Sequence, residues 1–187
     1  MKKALLLVSI LFVSVISTAC INNFAVQELN SKAQQYMQEG DYEAAIARLK
    51  SSVDLDDTIF ETHYNLAVAY TENEEYNNAI NSFKHAIEIN SDLADTYYSL
   101  AIAESNLAVD LAKGEVRISE DGSLYKPEQS ELEKETTEYK PSQEVLNKIS
   151  ELNNDAIANF NIYLEKSPQA TDRDEVIDKI KTFREEE

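Results

Sequence analysis

The sequence has 187 residues with three glycines, three prolines and a formal net charge of −18 at pH 7. This length is enough for one domain with a sizeable core. The scarcity of glycine and proline favours long helices and argues against an all-β sandwich with many tight turns. An acidic surface repels polyanions, so the charge argues against binding of DNA or RNA. Most of this negative charge serves to keep the protein soluble. An acidic surface also favours basic partners.

Residues 1–19 have the three parts of a secretory signal peptide. Lys2 and Lys3 supply positive charge, residues 4–16 form an uncharged apolar core, and residues 17–19 are the small residues that a signal peptidase requires. The apolar core is short for a membrane span. The sequence therefore predicts that this segment is removed rather than retained as a transmembrane helix.

The only cysteine, Cys20, directly follows this small-residue site and cannot form an internal disulfide. Its placement resembles a bacterial lipoprotein signal, in which the cysteine thiol is lipidated before cleavage, although Ser17 stands where that family prefers leucine. The resemblance implies a lipid-anchored tether over residues 20–25 of an exported, membrane-anchored lipoprotein of the bacterial cell envelope, on its periplasmic or outer-surface side. One acyl chain binds membranes only marginally, so stable anchoring needs more than one. The alternative is ordinary cleavage that leaves an exported thiol, or cleavage at a nearby bond.

Apolar and small residues at helical spacing predict four helices in the next part of the chain, at residues 26–39, 42–55, 59–72 and 76–90. Gly40 and Asp41 break the pattern after the first helix. Residues 56–58 offer a turn and an N-cap for the third. A fifth helix begins at Ala94.

Several positions recur at a fixed interval of 34 residues, most clearly the alanines Ala33, Ala67 and Ala101. Further pairs at the same interval are Tyr36 and Tyr70, Tyr42 and Tyr76, Ala45 and Ala79, Ile46 and Ile80, and Leu49 and Phe83. Small residues are expected where two helices approach closely, with large residues filling the space beside them. A period of this length is typical of repeats that stack on one another.

The run from Tyr64 to Ile87 and the segment from Gly40 to Ile46 resemble the tetratricopeptide repeat (TPR) family over roughly residues 26–170. His63 and Tyr97 depart from the family by standing where tryptophan is common. The resemblance implies an all-α superhelix of about three helical hairpins. Residues 26–113 would then hold the first two repeats and the first helix of the third.

The third repeat is interrupted. The 34-residue repeat predicts an alanine at position 113, where the chain has Lys113. The best match to that alanine is Ala156, so a long segment has been inserted. Residues 114–141 are predicted to form a hairpin around the turn-favouring pair Asp121-Gly122, followed by a charged mobile loop. Two interpretations of the insertion over residues 109–155 stay open: a binding arm for a partner, or an elongation that a loop tolerates.

The C-terminal part, residues 142–187, is predicted to complete the third repeat. Ser142 caps a long second helix. This helix would pair antiparallel with an overlong first helix, and the hairpin would form the tip of the pair. Residues 174–184 form a last amphipathic helix, built on Val176, Ile177 and Ile180. Because stacked repeats need a terminal helix to cover the exposed end, we expect this helix to be a cap.

In TPR proteins the first helices of the repeats line a concave groove, and the resemblance places eight residues there: Asn30, Gln34, Tyr64, Asn65, Val68, Tyr98, Ser99 and Ile102. None of these positions is basic, whereas TPR grooves that clasp a C-terminal carboxylate use Lys and Arg. An apolar and aromatic floor with amide donors suits an extended segment or an amphipathic helix. The alternative is that Tyr98 and Ile102 are covered internally, by the terminal helix or a second subunit.

The sequence offers little for catalysis. His63 and His85 have no neighbouring metal-ligand pattern, and no nucleophile pair, zinc spacing or phosphate loop appears. We therefore expect no enzyme activity, metal or cofactor, and a protein partner in the groove. The preferred function is a TPR adaptor that assembles or retains an envelope complex. The alternative is a ligand-binding component for solute uptake, which requires a closed pocket, whereas a hydrolase would need a cluster of carboxylates or histidines. The sequence leaves the oligomeric state open.

Overall fold

A computed structural model describes residues 23–132 and 139–185. The predicted signal peptide, the predicted lipid attachment at Cys20 and residues 133–138 of the predicted mobile loop lie outside this part of the chain.

The described residues form eight helices and one two-stranded hairpin. In chain order the elements are α1 (23–39), α2 (Tyr42–Leu55), α3 (Phe60–Glu72), α4 (Tyr76–Ile89), α5 (Ala94–Lys113), β1 (Arg117–Ile118), β2 (Leu124–Tyr125), α6 (Gln129–Leu132), α7 (Gln143–Lys166) and α8 (Arg173–Glu185). The first five helices and the two C-terminal ones agree with the sequence prediction to within a few residues. The short helix α6 lies inside the segment predicted as a mobile loop.

Local chemistry explains where the helices begin and end. Gly40 adopts φ of +77°, a left-handed conformation that favours glycine, and it separates α1 from α2. The Asp41 carboxylate accepts a hydrogen bond from Ala44 N at 3.0 Å and so caps α2. As predicted, Ser142 caps α7, because its hydroxyl accepts from Val145 N at 3.3 Å.

The predicted N-cap of α3 is wrong. The N-cap is Ile59, which makes no side-chain capping bond. The Asp56 carboxylate instead accepts hydrogen bonds from the Thr58 backbone N–H at 3.0 Å and hydroxyl at 2.6 Å. Residues 56–58 therefore stabilise the turn and leave the helix terminus uncapped.

The repeat alanines are the points of closest helix approach. Ala33, Ala45, Ala67, Ala79 and Ala101 are all fully buried. A methyl side chain lets neighbouring helices pack closely, and larger side chains beside it fill the remaining space. The result is an all-α stack of three helical hairpins, α1–α2, α3–α4 and α5–α7.

The core has two parts. The first joins the first two repeats to the base of the insertion, and its largest fully buried members are Leu49, Phe83 and Leu111. The second joins α5, the end of α7 and α8, around Phe160 and Val176. Helix α8 therefore covers the last hairpin as a cap, as the sequence predicts.

Helices α5 and α7 form the overlong antiparallel pair. Glu104 in α5 meets Asn159 in α7, whereas Gly114, which follows α5, lies against Tyr139, which precedes α7. The contact positions run in opposite directions along the two helices, so the pair is antiparallel. This part of the insertion continues the repeat as ordered helix.

The hairpin lies at the predicted position. Its strands pair antiparallel, with Arg117 opposite Tyr125, and the turn contains Asp121, whose carboxylate accepts hydrogen bonds from Ser119 and Ser123. These bonds lower the pKa of Asp121 to about 2.

The hairpin packs back on the second repeat. Lys126 Nζ lies 3.4 Å from Glu74 Oε2 in the turn between α3 and α4. Val116 is buried in the first core, and Leu124 packs against it. The sequence predicted only that the hairpin lies at the tip of the two long helices. In the structure, apolar residues of the insertion are also buried against the second repeat.

Within residues 23–132 and 139–185, none of the helices is both long and apolar enough to cross a membrane.

Candidate functional site

An open cleft of about 180 Å³ lies between α3 and α5, the first helices of the second and third repeats. Its lining residues are Val68, Thr71, Glu72, Phe83, Tyr98, Ser99 and Ile102. Four of the eight residues that the sequence placed in the groove are brought together here, namely Val68, Tyr98, Ser99 and Ile102. Sequence reasoning did not include Thr71, Glu72 and Phe83.

The repeat alanines position this cleft. Ala67 and Ala101 are fully buried where the first helices pack closely. Val68 follows one of these alanines and Ile102 the other, so both lie at the margin of the contact and remain partly exposed. Equivalent positions in successive repeats face the same side of the stack, so the two aliphatic side chains line one surface.

The Tyr98 side chain packs against α7 and also borders the cleft. Its ring lies edge-on to Phe160 at 5.7 Å between centroids, and tilted against Tyr163 at 5.2 Å, both in α7. The same side chain lines the cleft. Ile102, like Tyr98, packs against the second core and also lines the cleft. A ring held in this way presents a rigid apolar surface.

Tyr64 and Asn65 are half-buried and lie outside the cleft lining. The Tyr64 ring stacks on Phe60 and meets Phe83 edge-on, with centroids 5.8 Å apart in both pairs. Because Phe83 lines the cleft, Tyr64 supports the wall of the site.

Asn30 serves the fold rather than the groove surface. Its amide nitrogen lies 2.8 Å from Ser52 Oγ and 3.0 Å from Thr62 Oγ1, so the side chain joins α1, α2 and α3. Ser52 and Thr62 are fully buried. The sequence contains a sign of this network, because Ser52 stands where the next repeat has Ala86. Gln34 is exposed and separate from the cleft.

The cleft is apolar with an acidic rim. Glu72 is the only charged residue among the described residues that line it, and its side chain is exposed. Within the described part of the chain, no side-chain hydrogen bond engages the Tyr98 hydroxyl, the Ser99 hydroxyl or the Glu72 carboxylate. These groups can therefore bond to water or to a ligand.

The two histidines lie together, which their separation in sequence did not indicate. Their ring centroids are 4.3 Å apart, and His63 Nε2 lies 2.8 Å from the Asp57 carbonyl oxygen. Burial lowers the pKa of His63, which favours the neutral ring. Among the residues that the structure describes, no three His, Cys, Asp or Glu side chains are arranged to hold a metal ion.

Glu104 is a second feature that sequence reasoning missed. It occupies the repeat position of Tyr36 and Tyr70, yet its side chain is fully buried. Asn159 Nδ2 donates to its Oε2 at 2.8 Å, and its Oε1 is without a hydrogen-bond partner, with Lys84 Nζ 4.0 Å away. Burial raises the pKa of Glu104 to about 7. The sequence contains a sign of this feature, because a glutamate replaces the tyrosine that recurs at this repeat position.

Stacked helical hairpins define an all-α helical-repeat protein. The TPR repeat family matches residues 33–73, and the tetratricopeptide repeat family matches residues 60–93. Residues 33–93 of the chain therefore consist of tetratricopeptide repeats.

Solved TPR domains have the same fold. The first TPR of Spaghetti (RPAP3) bound to an HSP90 peptide is 16% identical, with 86% of this chain and 90% of that chain covered and a TM-score of 0.56. The Arabidopsis OM64 TPR domain is 14% identical, with coverages of 88% and 98% and a TM-score of 0.59. The TPR2B domain of yeast Sti1 in complex with pHsp70 is 12% identical, with coverages of 88% and 99% and a TM-score of 0.57. No curated protein sequence matches the chain.

Proposed function

We propose that this protein is a non-catalytic adaptor that binds a segment of another protein in the cleft between α3 and α5. The observation that carries this proposal is an open, largely apolar cleft between the first helices of the second and third repeats. A short segment gains affinity there by burying one or two side chains, while its backbone bonds to the free polar groups of the rim. The RPAP3 domain, solved with an HSP90 peptide, supports the same use of this fold.

The size and openness of the cleft favour a peptide over a small solute. Sites for small molecules are usually closed clefts of about 300–1,000 Å³ that bury most of the ligand. The cleft at Tyr98 has about 180 Å³ and is open to solvent. It accommodates a side chain of a larger partner better than it encloses a free molecule.

The N-terminal sequence sets the location in this proposal. Lipidated Cys20 would anchor the chain to a membrane of the bacterial cell envelope, with the few residues between Cys20 and α1 as a short tether. The adaptor would then assemble or retain an envelope complex close to the membrane surface.

Crosslinking followed by affinity purification from membranes tests the adaptor role. Ile102→Lys places a charge in the cleft, and Val109→Lys is the matched control, because Val109 is an exposed aliphatic residue of the same helix outside the cleft. We expect the cleft variant to lose proteins that the wild type and the control both retain. Circular dichroism checks that both variants are folded. Identical sets of retained proteins for all three would contradict the proposal.

Mass spectrometry of the mature N-terminus tests the anchor independently. We expect a terminal Cys20 that carries acyl chains. An unmodified terminus, or one that lacks Cys20, would remove the membrane tether and leave the adaptor proposal to the binding experiment.

A further inference from the structure

We infer that the segment bound in the cleft is basic, with one large apolar side chain close in sequence to a lysine or arginine. The apolar side chain fills the space between Val68, Tyr98 and Ile102, and the cation pairs with Glu72. This inference rests on the proposed function and adds the chemistry of the partner.

The cleft fits a single apolar anchor. Its volume of about 180 Å³ is bounded by the aliphatic side chains of Val68 and Ile102 and by the rings of Phe83 and Tyr98. Phe83 is almost fully buried and Tyr98 is braced by Phe160, so these walls are held by the core. A rigid apolar wall favours burial of one leucine, methionine or phenylalanine side chain, because little ordering of the protein is required.

The rim of the cleft attracts a cation. Glu72 lies beside the apolar walls and forms no ion pair with another residue in the described part of the chain. Among the residues that the structure describes, no lysine or arginine lines the cleft to compete for it. The net charge of −18 adds a long-range attraction for basic segments.

The same charges disfavour the other occupants. An acidic segment would place its carboxylates near Glu72 with no basic lining residue to pair with them. A second copy of this chain has the same acidic excess and would be repelled before its surface reached the cleft. Like-charge contacts therefore act against wrong partners, while opposite charges favour right ones.

Selection from a phage-displayed library of random peptides on the purified full-length protein tests the inference. We expect the wild type to enrich peptides with Leu, Met or Phe within roughly one helical turn of Lys or Arg. Glu72→Lys should lose the preference for basic residues. Glu165→Lys is the matched control, because Glu165 is an exposed acid of α7 outside the cleft, and it should keep the preference.

Fluorescence anisotropy with the most enriched peptide gives the size of the effect. We expect Glu72→Lys to weaken binding on the order of tenfold or more, and more strongly at low salt, because the lost pair is replaced by repulsion. Glu165→Lys should change the affinity much less.

The outcomes separate the inference from the proposed function. Peptides that require Ile102 but show no basic preference, or that bind Glu72→Lys unchanged, would overturn the inference and leave the adaptor role intact. Failure to obtain any peptide whose binding is lost in Ile102→Lys would count against both. If sedimentation showed self-association that Ile102→Lys abolishes, the occupant would be a second copy and the inference would be wrong.

Discussion

Glu104 is a single residue that makes the stability of the third repeat depend on pH. A tyrosine stands at this position in the first two repeats, but here a carboxyl group is fully buried between α4 and α7. Asn159 donates one hydrogen bond to it, Lys84 approaches its other oxygen, and Asp155 in α7 opposes its ionisation. Desolvation is the largest effect, so the protonated form is favoured.

The first prediction concerns the pH dependence of stability. The pKa of Glu104 is about 7 in the folded state and 4.5 as its ordinary value, so the folded state binds this proton more tightly. The group therefore stabilises the fold at low pH, and this contribution is lost as the pH rises from about 4.5 to 7. The loss is on the order of 3 kcal/mol.

Urea denaturation of the wild type and of Glu104→Gln at pH 5 and pH 8 measures this contribution. The variant should be more stable relative to the wild type at pH 8 than at pH 5, since glutamine does not ionise. Other carboxylates are the same in both proteins and cancel in the comparison. Parallel pH dependences for the two proteins would contradict the prediction.

Gly114 is a second residue whose role is set by a close contact. It adopts φ of +77° after α5, and the ring of Tyr139 would lie 2.7 Å from an added Cβ. The Arg117 guanidinium also lies over this ring, with its central carbon 5.1 Å from the Tyr139 centroid. The contact joins the beginning of the insertion to the residue that leads into α7.

Two glycine substitutions separate backbone strain from the clash. Gly40 has the same φ of +77°, but nothing lies within 4 Å of an added Cβ. Gly40→Ala should cost about 1 kcal/mol for the left-handed backbone alone. Gly114→Ala should cost at least about 1 kcal/mol more, because Tyr139 must move. Denaturant unfolding gives both values, and equal losses would show that Tyr139 adjusts freely.

At the scale of elements, α8 completes the second core. Val176 is fully buried, and Phe183 stacks on Phe160 at 6.4 Å between centroids. The helix is short and its packing is mainly with α7, so its stability depends on this apolar face rather than on its own helical propensity.

We predict that Val176→Asp destabilises the protein by at least about 3 kcal/mol, because it buries an unpaired charge. Val109→Asp is the control, since Val109 is 46% exposed on α5 and its substitution should change stability by about 0.5 kcal/mol or less. Thermal unfolding of the two variants gives the comparison. Similar melting temperatures would mean that α8 detaches from the stack without cost.

The hairpin is the other element with a structural role. Its contacts with the second repeat, through Val116 and the Lys126–Glu74 pair, show that this part of the insertion is docked. An exposed ion pair contributes little on its own, so apolar burial holds the hairpin in place. The docked insertion is a binding arm if its exposed surface binds a partner. Otherwise it is a tolerated elongation.

For the whole molecule, net charge is the dominant long-range effect. A charge of −18 on one small domain causes self-repulsion in the compact state. Most ion pairs are exposed, Lys32–Glu28 among them, and exposed pairs contribute little to stability.

Added salt should therefore stabilise the fold. Raising the ionic strength from about 0.01 M to 0.15 M shortens the Debye length from about 30 Å to 8 Å and screens the repulsion. We expect Tm to rise over this range in NaCl at pH 7, with most of the change at low concentration. A falling Tm would show that attractive pairs outweigh the net charge.

The sequence alone determined the architecture of the repeats. Alanines at a 34-residue interval require close helix approach, and turn and cap residues such as Gly40 and Ser142 end and begin helices locally. These features depend on neighbours within a few residues or on a strict period. They can therefore be read without knowledge of the partner surfaces.

Only the tertiary structure decided which groove residues are free. Asn30 occupies the repeat position of Tyr64 and Tyr98, but its amide is engaged by Ser52 and Thr62 from two other helices. Glu72 joined the cleft, and Glu104 became buried, through contacts with residues distant in sequence. A repeat pattern specifies which face a side chain occupies, whereas the hydrogen bonds and burial of that side chain depend on the residues that other helices bring to it.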